Sequence, residues 1–245
     1  FRGGKPEKIG GWQRISNNTF LGSCRGLHNW QDLVGTDYLG VGTNLKYYIE
    51  LGTQYHDVTP IRATTSAGDV TFAATDGSST VTVTDNNNGA LENDFVTFSG
   101  AASLGGNVIA AVLNQEYQIV TVSGTNIYTI EAKDTDGDEV TANSSDSGNG
   151  GSSVVGAYQI NTGLDTYVAG TGWGAGTWSR GVWGGASTTP AIVNVRLVFM
   201  DNFNNDLIFN LNQGGHIYYW TYNAAFSNRA VLLSSLPGSI AVPAA

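Results

Sequence analysis

The chain has 245 residues, a net charge of −9, only 13% charged residues and 33 glycines. It contains no apolar run near the roughly 20 residues that a membrane-spanning helix requires. Its single cysteine, Cys24, excludes an internal disulfide and a multi-cysteine zinc site. We expect Cys24 to be buried and inert, because no Cys-His arrangement accompanies it.

The composition predicts an all-β fold. Short β-branched or aromatic runs alternate with clusters of Gly, Asn, Asp and Ser, a pattern typical of many short strands and turns. The first 25 residues form a basic arm of net charge +4, so that the remainder carries −13. The charge of the arm favours contact with an acidic neighbour in an assembly. The acidic remainder argues against a surface that DNA wraps around, because the phosphates would be repelled, and favours a surface that lines a conduit for sliding DNA.

A strand-turn-strand unit occurs twice. The first copy reads D-Y-L-G-V-G-T-N-L-K-Y-Y-I from Asp37 to Ile49, and the second reads D-L-I-F-N-L-N-Q-G-G-H-I-Y-Y-W from Asp206 to Trp220. A hairpin reused at a large interval predicts propeller-like antiparallel sheets. Two hairpins do not close a propeller of about four to eight blades. We therefore expect a partial propeller, either a piece of a longer protein or a ring completed by other chains.

Between the two hairpins the composition changes, and tryptophan is absent from residues 58–153. We predict that this segment is a small β-sandwich or barrel inserted between residues 1–57 and 154–245 of the propeller-like domain. The polar, glycine-rich run from Ser144 to Ser153 disfavours packed structure, and strand-like sequence returns over Val154–Ile160. Alternating runs predict strands within the insert at Val70–Ala73, Thr80–Thr84, Phe95–Phe98, Tyr117–Val122 and Ile127–Ile130.

A glycine-rich segment at residues 170–185 carries Trp173, Trp178 and Trp183, which are spaced five residues apart. This period fits neither a strand nor a helix, so each ring is expected in its own turn of an irregular loop. The three rings either cap the hydrophobic end of a sheet or form a contact surface for a neighbouring subunit or a glycan.

Several phrases together resemble bacteriophage tail structural proteins of the tail nozzle or tail tubular class. They are G-K-P-E-K-I-G-G-W (Gly4–Trp12), Y-L-G-V-G-T-N-L-K-Y-Y (Tyr38–Tyr48), the Gly-Trp segment, D-N-F-N-N-D-L-I-F-N (Asp201–Asn210) and G-G-H-I-Y-Y-W. The family's usual tryptophan in the Asp201 phrase is Phe203 here. The insert, with F-V-T-F-S-G-A, E-Y-Q-I-V-T-V and N-I-Y-T-I, is similar to a small β module of phage virion proteins.

The resemblance implies a virion tail protein that forms an oligomeric ring around the genome-ejection channel. Its partners would be copies of itself and neighbouring tail or adaptor proteins, with the genome passing without sequence-specific binding and without a membrane anchor. We expect the chain not to be an enzyme and to need no cofactor or metal. The alternatives are a carbohydrate-binding tail adhesin and, less favoured, a polysaccharide-degrading tail enzyme.

Candidate catalytic and metal-binding residues are few. His28, His56 and His216 lie in unrelated contexts, and His56 and Asp57 should point to opposite faces of a strand. Phosphate-loop, zinc-protease and nucleophile-elbow motifs are absent from the sequence. Three alternating aspartates in D-T-D-G-D-E could hold calcium, but the spacing lacks the full twelve-residue loop, and a solvated acidic turn is favoured: Asp134, Asp136 and Asp138.

Overall fold

The computed structural model describes residues 17–161, 197–211 and 216–238. In these ranges the chain forms seventeen strands, one short α-helix and one 3-10 helix, with the strands in four antiparallel sheets. None of the four sheets closes on itself within these ranges, and the predicted all-β class is confirmed. The described ranges hold no helix with the length and apolar character needed to cross a membrane.

The first meander contains the first predicted hairpin and one further strand on each side. Its strands pair in chain order: β1 (Cys24–Gln31), β2 (Asp37–Thr43), β3 (Tyr47–Leu51) and β4 (Gln54–Asp57). The β2–β3 turn is closed by the Thr43 hydroxyl, which accepts the backbone N–H of Lys46 at 2.8 Å. Tyr47 and Ile49, on alternate positions of β3, then face the same core, as the period of two requires.

Cys24 is exposed, so the expectation that it is buried was wrong. It is the first residue of β1, which is an edge strand, and it lies opposite Thr43. Large aromatic side chains further along the strands, including Trp30 and Tyr47, fill the core. The core is therefore filled without the Cys24 thiol, which lies at the end of the strand.

Two sheets packed face to face form the sandwich, which spans residues 61–159. One sheet has the order β5-β13-β8-β9 and the other has the order β10-β11-β7-β6-β12. Phe72 and Phe98 meet edge to face across the sheets, with ring centroids 4.9 Å apart. The elements are β5 (Ile61–Thr64), β6 (Thr71–Ala74), β7 (Thr80–Thr84), β8 (Phe95–Ser99), α1 (Ala110–Leu113), β9 (Glu116–Gln118), β10 (Thr121–Ser123), β11 (Ile127–Glu131), β12 (Asp146–Asn149) and β13 (Val155–Gln159).

Two strand predictions in this region need correction. The single strand expected over Tyr117–Val122 is two strands in different sheets, because the chain crosses between the sheets at the buried Ile119. The segment Ser144–Ser153, expected to lack packed structure, contains β12, which pairs with β6 at the edge of a sheet. An edge strand is held by backbone hydrogen bonds along one side, so a polar, glycine-rich sequence suffices.

Strand β13 pairs with both β5 and β8, so residues 155–159 belong to a sandwich sheet. The division of the chain at residue 153 stays a prediction. The sandwich core draws its buried side chains from residues 70–158. A second core draws its buried side chains from residues 30–58, from Ile160, and from residues 198–209 and 218–230.

The second meander contains the second predicted hairpin and again pairs its strands in chain order. Its elements are β14 (Val198–Phe203), β15 (Asp206–Leu211), β16 (Ile217–Trp220), β17 (Val231–Leu232) and a 3-10 helix (Leu233–Ser235). Tyr47 of the first meander packs on Phe209 of the second, with ring centroids 4.5 Å apart. Trp220 is fully buried and stacks on Phe226 at 5.5 Å. Each such ring contributes about 1.5–3 kcal/mol through burial.

Glycines permit the close approach of the two meanders. A Cβ atom at Gly42 would lie 2.8 Å from both methyl groups of Val198, and one at Gly26 would lie 2.7 Å from the Val198 carbonyl oxygen. Strand β14 therefore rests on a glycine-lined surface of β1 and β2. We call this contact the glycine seam.

Candidate functional site

The sequence-predicted contact residues Trp173, Trp178 and Trp183 lie outside the described residues. The most extensive charged site in the described ranges is instead a group that we call the junction cluster: Lys46, Asp57, Glu116 and Arg229. Its members come from the first meander, the sandwich and the segment just before β17. The cluster therefore joins three parts of the chain.

Lys46 is the centre of the junction cluster. Its side chain is only 3% exposed, and its Nζ lies 2.6 Å from Asp57 Oδ2 and also contacts Glu116 Oε1. The ammonium group also lies 4.4 Å from the centroid of the Phe95 ring, a cation–π contact with the sandwich. A buried cation of this kind requires paired anions, because desolvation of an unpaired charge is costly.

Arg229 completes the pairing of both carboxylates from the other side. Its Nη1 lies 2.6 Å from Asp57 Oδ1, and its Nη2 lies 3.4 Å from Glu116 Oε2. Gln159 of β13 donates from its side-chain amide to Glu116 Oε2. Each carboxylate thus contacts both cations, and the network carries two positive and two negative charges.

Local structure fixes these side chains before they meet. The β2–β3 turn places Lys46, while Asp57 ends β4 and accepts the backbone N–H of Thr59 at 2.9 Å. Glu116 begins β9. The four residues come from separate segments of the sequence, so no contiguous sequence motif identifies the site. The one local signal is a lysine placed between apolar residues Leu45 and Tyr47.

The protonation of Asp57 follows from these contacts. Burial alone would raise its pKa, but the charges of Lys46 and Arg229, with hydrogen bonds from Lys46 and Thr59, outweigh burial and hold the pKa below its ordinary value. Asp57 is therefore a carboxylate at neutral pH. A balanced network of ionised, mutually paired groups is suited to holding segments together.

A second polar group lies inside the sandwich. The Tyr128 and Tyr158 hydroxyls are 2.8 Å apart, and the Tyr158 hydroxyl donates to Asp85 Oδ2 at 2.7 Å. Burial raises the pKa of Asp85 despite the Tyr158 hydrogen bond. Arg62 covers the Tyr158 ring at 5.1 Å and lies 3.8 Å from Asp94. This chain of hydroxyls and a carboxylate connects β11 and β13 to the residue that follows β7.

The histidines have separate environments. His28 Nε2 lies 3.1 Å from Asn202 Oδ1, and the His28 ring stacks on Trp30. The His56 ring stacks on Phe226, with ring centroids 4.4 Å apart. Asp57 faces the junction cluster, so it does not orient His56, as strand geometry predicts. His216 lies edge to face with Tyr218.

The acidic turn forms internal hydrogen bonds. Asp134 Oδ1 accepts the backbone N–H groups of Asp136 and Asp138, both at 2.9 Å, as in an Asx turn. The Asp134 carboxylate therefore stabilises an acidic turn, which is the interpretation favoured from the sequence. Across the described residues, no group of three or more His, Cys, Asp or Glu side chains is arranged to hold a metal ion.

Comparisons with known proteins identify no family for the chain. No protein-family model matches the chain, and no curated protein matches it. Among solved structures, the phage phi92 endosialidase matches with 14% sequence identity and a TM-score of 0.30, over 84% of this chain and 29% of that one. The chain thus spans less than a third of the length of that protein. A likeness at this level assigns neither a family nor an activity to this chain.

This comparison corrects one expectation. The chain was expected not to be an enzyme, but the matching structure bears the name of an enzyme, so that expectation is contradicted and is withdrawn. The match does not bear on the nozzle class.

Proposed function

We propose that the chain is a structural component of a bacteriophage tail, of the nozzle or tubular class, and that copies of it form a ring around the genome-ejection channel. The proposal rests first on the resemblance of the hairpin phrases Tyr38–Tyr48 and Asp201–Asn210 to that class. Copies of the chain and neighbouring tail or adaptor proteins are its proposed partners. Its proposed location is the virion tail.

The observation that carries the proposal is the pair of four-stranded meanders. Each meander pairs its strands in chain order, as the blades of a propeller do. Each also ends in edge strands, β1 and β4 in the first and β14 and β17 in the second. Exposed strand edges are sites of pairing with another chain. A ring in which neighbouring chains cover these edges would use them.

The junction cluster supports a mechanical role. A channel protein must keep its parts in place while DNA passes, and Lys46 pairs with carboxylates from both the first meander and the sandwich. Removing one partner of a buried ion pair leaves an uncompensated buried charge, so separating the first meander from the sandwich at Lys46 would be strongly unfavourable. The net charge of −9 also disfavours tight adhesion of the genome to the channel wall.

Cryo-electron microscopy of virions that contain this chain tests the proposal. We expect density for the two meanders in a closed, cyclically symmetric ring on the tail axis, with a central channel. Density at the tail periphery, or absence from the virion, would contradict the proposal. Peripheral density together with glycan binding that is lost in Trp173→Ala or Trp178→Ala would identify the adhesin alternative.

A further inference from the structure

The second meander has two faces, and the face that points away from the core carries apolar side chains. Side chains at alternate positions of β14 point outward, and Phe199 and Phe203 are 59% and 69% exposed. Strand pairing places Ile208, Tyr219 and Val231 in one row of the same face. Exposed apolar residues grouped on one face are typical of a contact surface. We call these five residues the outer patch.

The outer patch also carries two carboxylates. Asp201 is exposed, lies beside Ile208 in the same row, and has its Oδ1 atom 3.9 Å from His28 Nε2. Asp206 accepts hydrogen bonds from the Tyr219 hydroxyl and from the Tyr222 backbone N–H, which are neutral donors and leave its charge in place. Within the described ranges, neither carboxylate forms a salt bridge with a lysine or an arginine. The patch is therefore suited to a partner that is both apolar and basic.

The corresponding face of the first meander is covered by the chain itself. Tyr48 occupies the same place in its hairpin as Tyr219 does in the second, yet it is only 7% exposed. Residues 17–23, which we call the strap, cover it: the Phe20 ring packs on Tyr48 and Tyr55, with ring centroids 6.2 and 5.1 Å apart. The first meander thus shows that an aromatic residue on a short segment can cover such a face.

The strap follows residues 1–16, which lie outside the described ranges. Their sequence holds four cations and one carboxylate, for a net charge of +3, and four large apolar residues: Arg2, Lys5, Lys8 and Arg14, Glu7, and Phe1, Ile9, Trp12 and Ile15. Sixteen residues span at most about 55 Å when extended, whereas four paired strands span about 15 Å. The segment therefore has the charge, the aromatic residues and the length to cross the outer patch.

The position of the strap determines which patch residues 1–16 can meet. The two meanders pack core to core, as the contact of Tyr47 with Phe209 shows, so their outer faces point in opposite directions. The strap lies on the outer face of the first meander, and residues 1–16 precede it there. When copies stand side by side, this face of one copy approaches the outer patch of the next.

We propose that residues 1–16 of one copy bind across the outer patch of a second copy. Segment and patch are different surfaces of the chain, so the contact is heterologous and continues from copy to copy until a ring closes. The inference rests on the proposed function, because it supplies a contact for the proposed ring. Apolar anchors at Phe199 and Phe203 supply most of the affinity, while the opposite charges select and orient the partner.

Mixing two complementary full-length variants tests the contact. The segment variant reverses the four cations of residues 1–16: Arg2→Glu, Lys5→Glu, Lys8→Glu and Arg14→Glu. The patch variant is Phe199→Ser/Phe203→Ser. Each variant alone should assemble only at concentrations about tenfold or more above that of the wild type, measured by sedimentation velocity. Mixed in equal amounts, they should form a one-to-one pair, because one supplies an intact segment and the other an intact patch.

Two controls separate the contact from a folding defect. Leu33→Ser/Val34→Ser removes two exposed apolar side chains outside the patch and should assemble like the wild type. Asp201→Lys added to the segment variant reverses the charge of the patch as well, and should restore part of the lost assembly. A misfolded chain would not be rescued by this change. Absence of any rescue, or equal loss in Leu33→Ser/Val34→Ser, would overturn the inference.

The remaining outcomes distinguish this inference from the proposed function. Wild-type rings that form equally well in both variants would overturn the contact and leave the ring intact. A one-to-one pair in the mixture, with a wild type that forms open chains instead of rings, would retain the contact and count against the ring. Weakened variants that do not pair when mixed would place the segment on its own copy and overturn the inference. Polysaccharide binding that is lost in the patch variant, with unchanged assembly, would assign the patch to a glycan and also overturn it.

Discussion

The sandwich and the meander pair are both antiparallel β structures, yet they are built differently. The sandwich takes its core from one continuous stretch, residues 70–158, and buries a carboxylate, Asp85, against neutral tyrosine hydroxyls. The meander pair takes its core from two stretches separated by the whole sandwich, and its neighbouring carboxylate, Asp57, is held by cations. A continuous core suits independent folding, whereas a divided core needs devices that bring distant segments together.

The largest expected effect comes from separating the two regions. A fragment of residues 58–161 should unfold cooperatively on its own, because it keeps the whole sandwich core. The matched fragment 58–153 lacks β13, which lies between β5 and β8, and should be unfolded. Near-ultraviolet circular dichroism during thermal unfolding would show the difference. If both fragments fold equally, or neither does, the continuous core is not sufficient as described.

The next effect breaks the junction cluster. Lys46→Met should lower the free energy of unfolding by about 3–5 kcal/mol, because Asp57 and Glu116 then lose their buried partner. The control Arg229→Met removes a cation of the same cluster whose side chain is 30% exposed, and should cost only about 1 kcal/mol or less. Urea titration measures both losses. Equal losses would show that the burial of Lys46 does not set its contribution.

The glycine seam offers a smaller and more local test. Gly42→Ala should cost about 1–3 kcal/mol, because the added methyl group meets the rigid β-branched Val198. Gly40→Ala is the matched control on the same strand, since its methyl would meet the flexible Met200 thioether at 3.2 Å and should cost less. Chemical denaturation of the two variants decides between them. A greater loss for Gly40→Ala would contradict this account of the seam.

The smallest effects concern pH, and the two regions should respond in opposite directions. The lowered pKa of Asp57 gives stability that is present above about pH 4 and is lost as pH falls through the folded pKa. The raised pKa of Asp85 gives stability that is present below about pH 4 and is lost as pH rises through the folded pKa.

Asparagine variants measured across this range check both signs. Asp57→Asn should differ most from wild type at neutral pH and converge with it in acid. Asp85→Asn keeps an acceptor for Tyr158 and should lose less stability than wild type between pH 4 and 7. Parallel stability curves for the wild type and either variant would show that the carboxylate does not control that limb of the profile.

Local pattern predicted much of the fold. The alternation over Thr80–Thr84 corresponds to β7, and both hairpins were found from their turn residues. Pattern failed where structure depends on distant partners. β12 forms because β6 offers it an edge, and the break after Gln118 depends on which sheet each neighbouring residue joins. Neither the pairing of β12 nor the break after Gln118 can be predicted from the residues that neighbour it in sequence.

The junction cluster could not be predicted for the same reason. Lys46 and Glu116 meet across seventy positions of sequence, and Arg229 joins from a third segment. Regular spacing in the sequence instead marks Trp173, Trp178 and Trp183, which lie outside the described residues. Spacing reveals sites built on one element, whereas ion pairs between elements appear only once the chain is folded.

The two ends of the sandwich lie side by side. The Ile160 backbone N–H donates to the Pro60 carbonyl at 3.0 Å, and Ile61 is paired with Gln159. The sandwich, about a hundred residues long, therefore begins and ends at two adjacent backbone positions. A region with such adjacent ends can be replaced or shortened without moving the flanking chain, provided that the replacement also supplies a carboxylate where Glu116 pairs with Lys46 and Arg229.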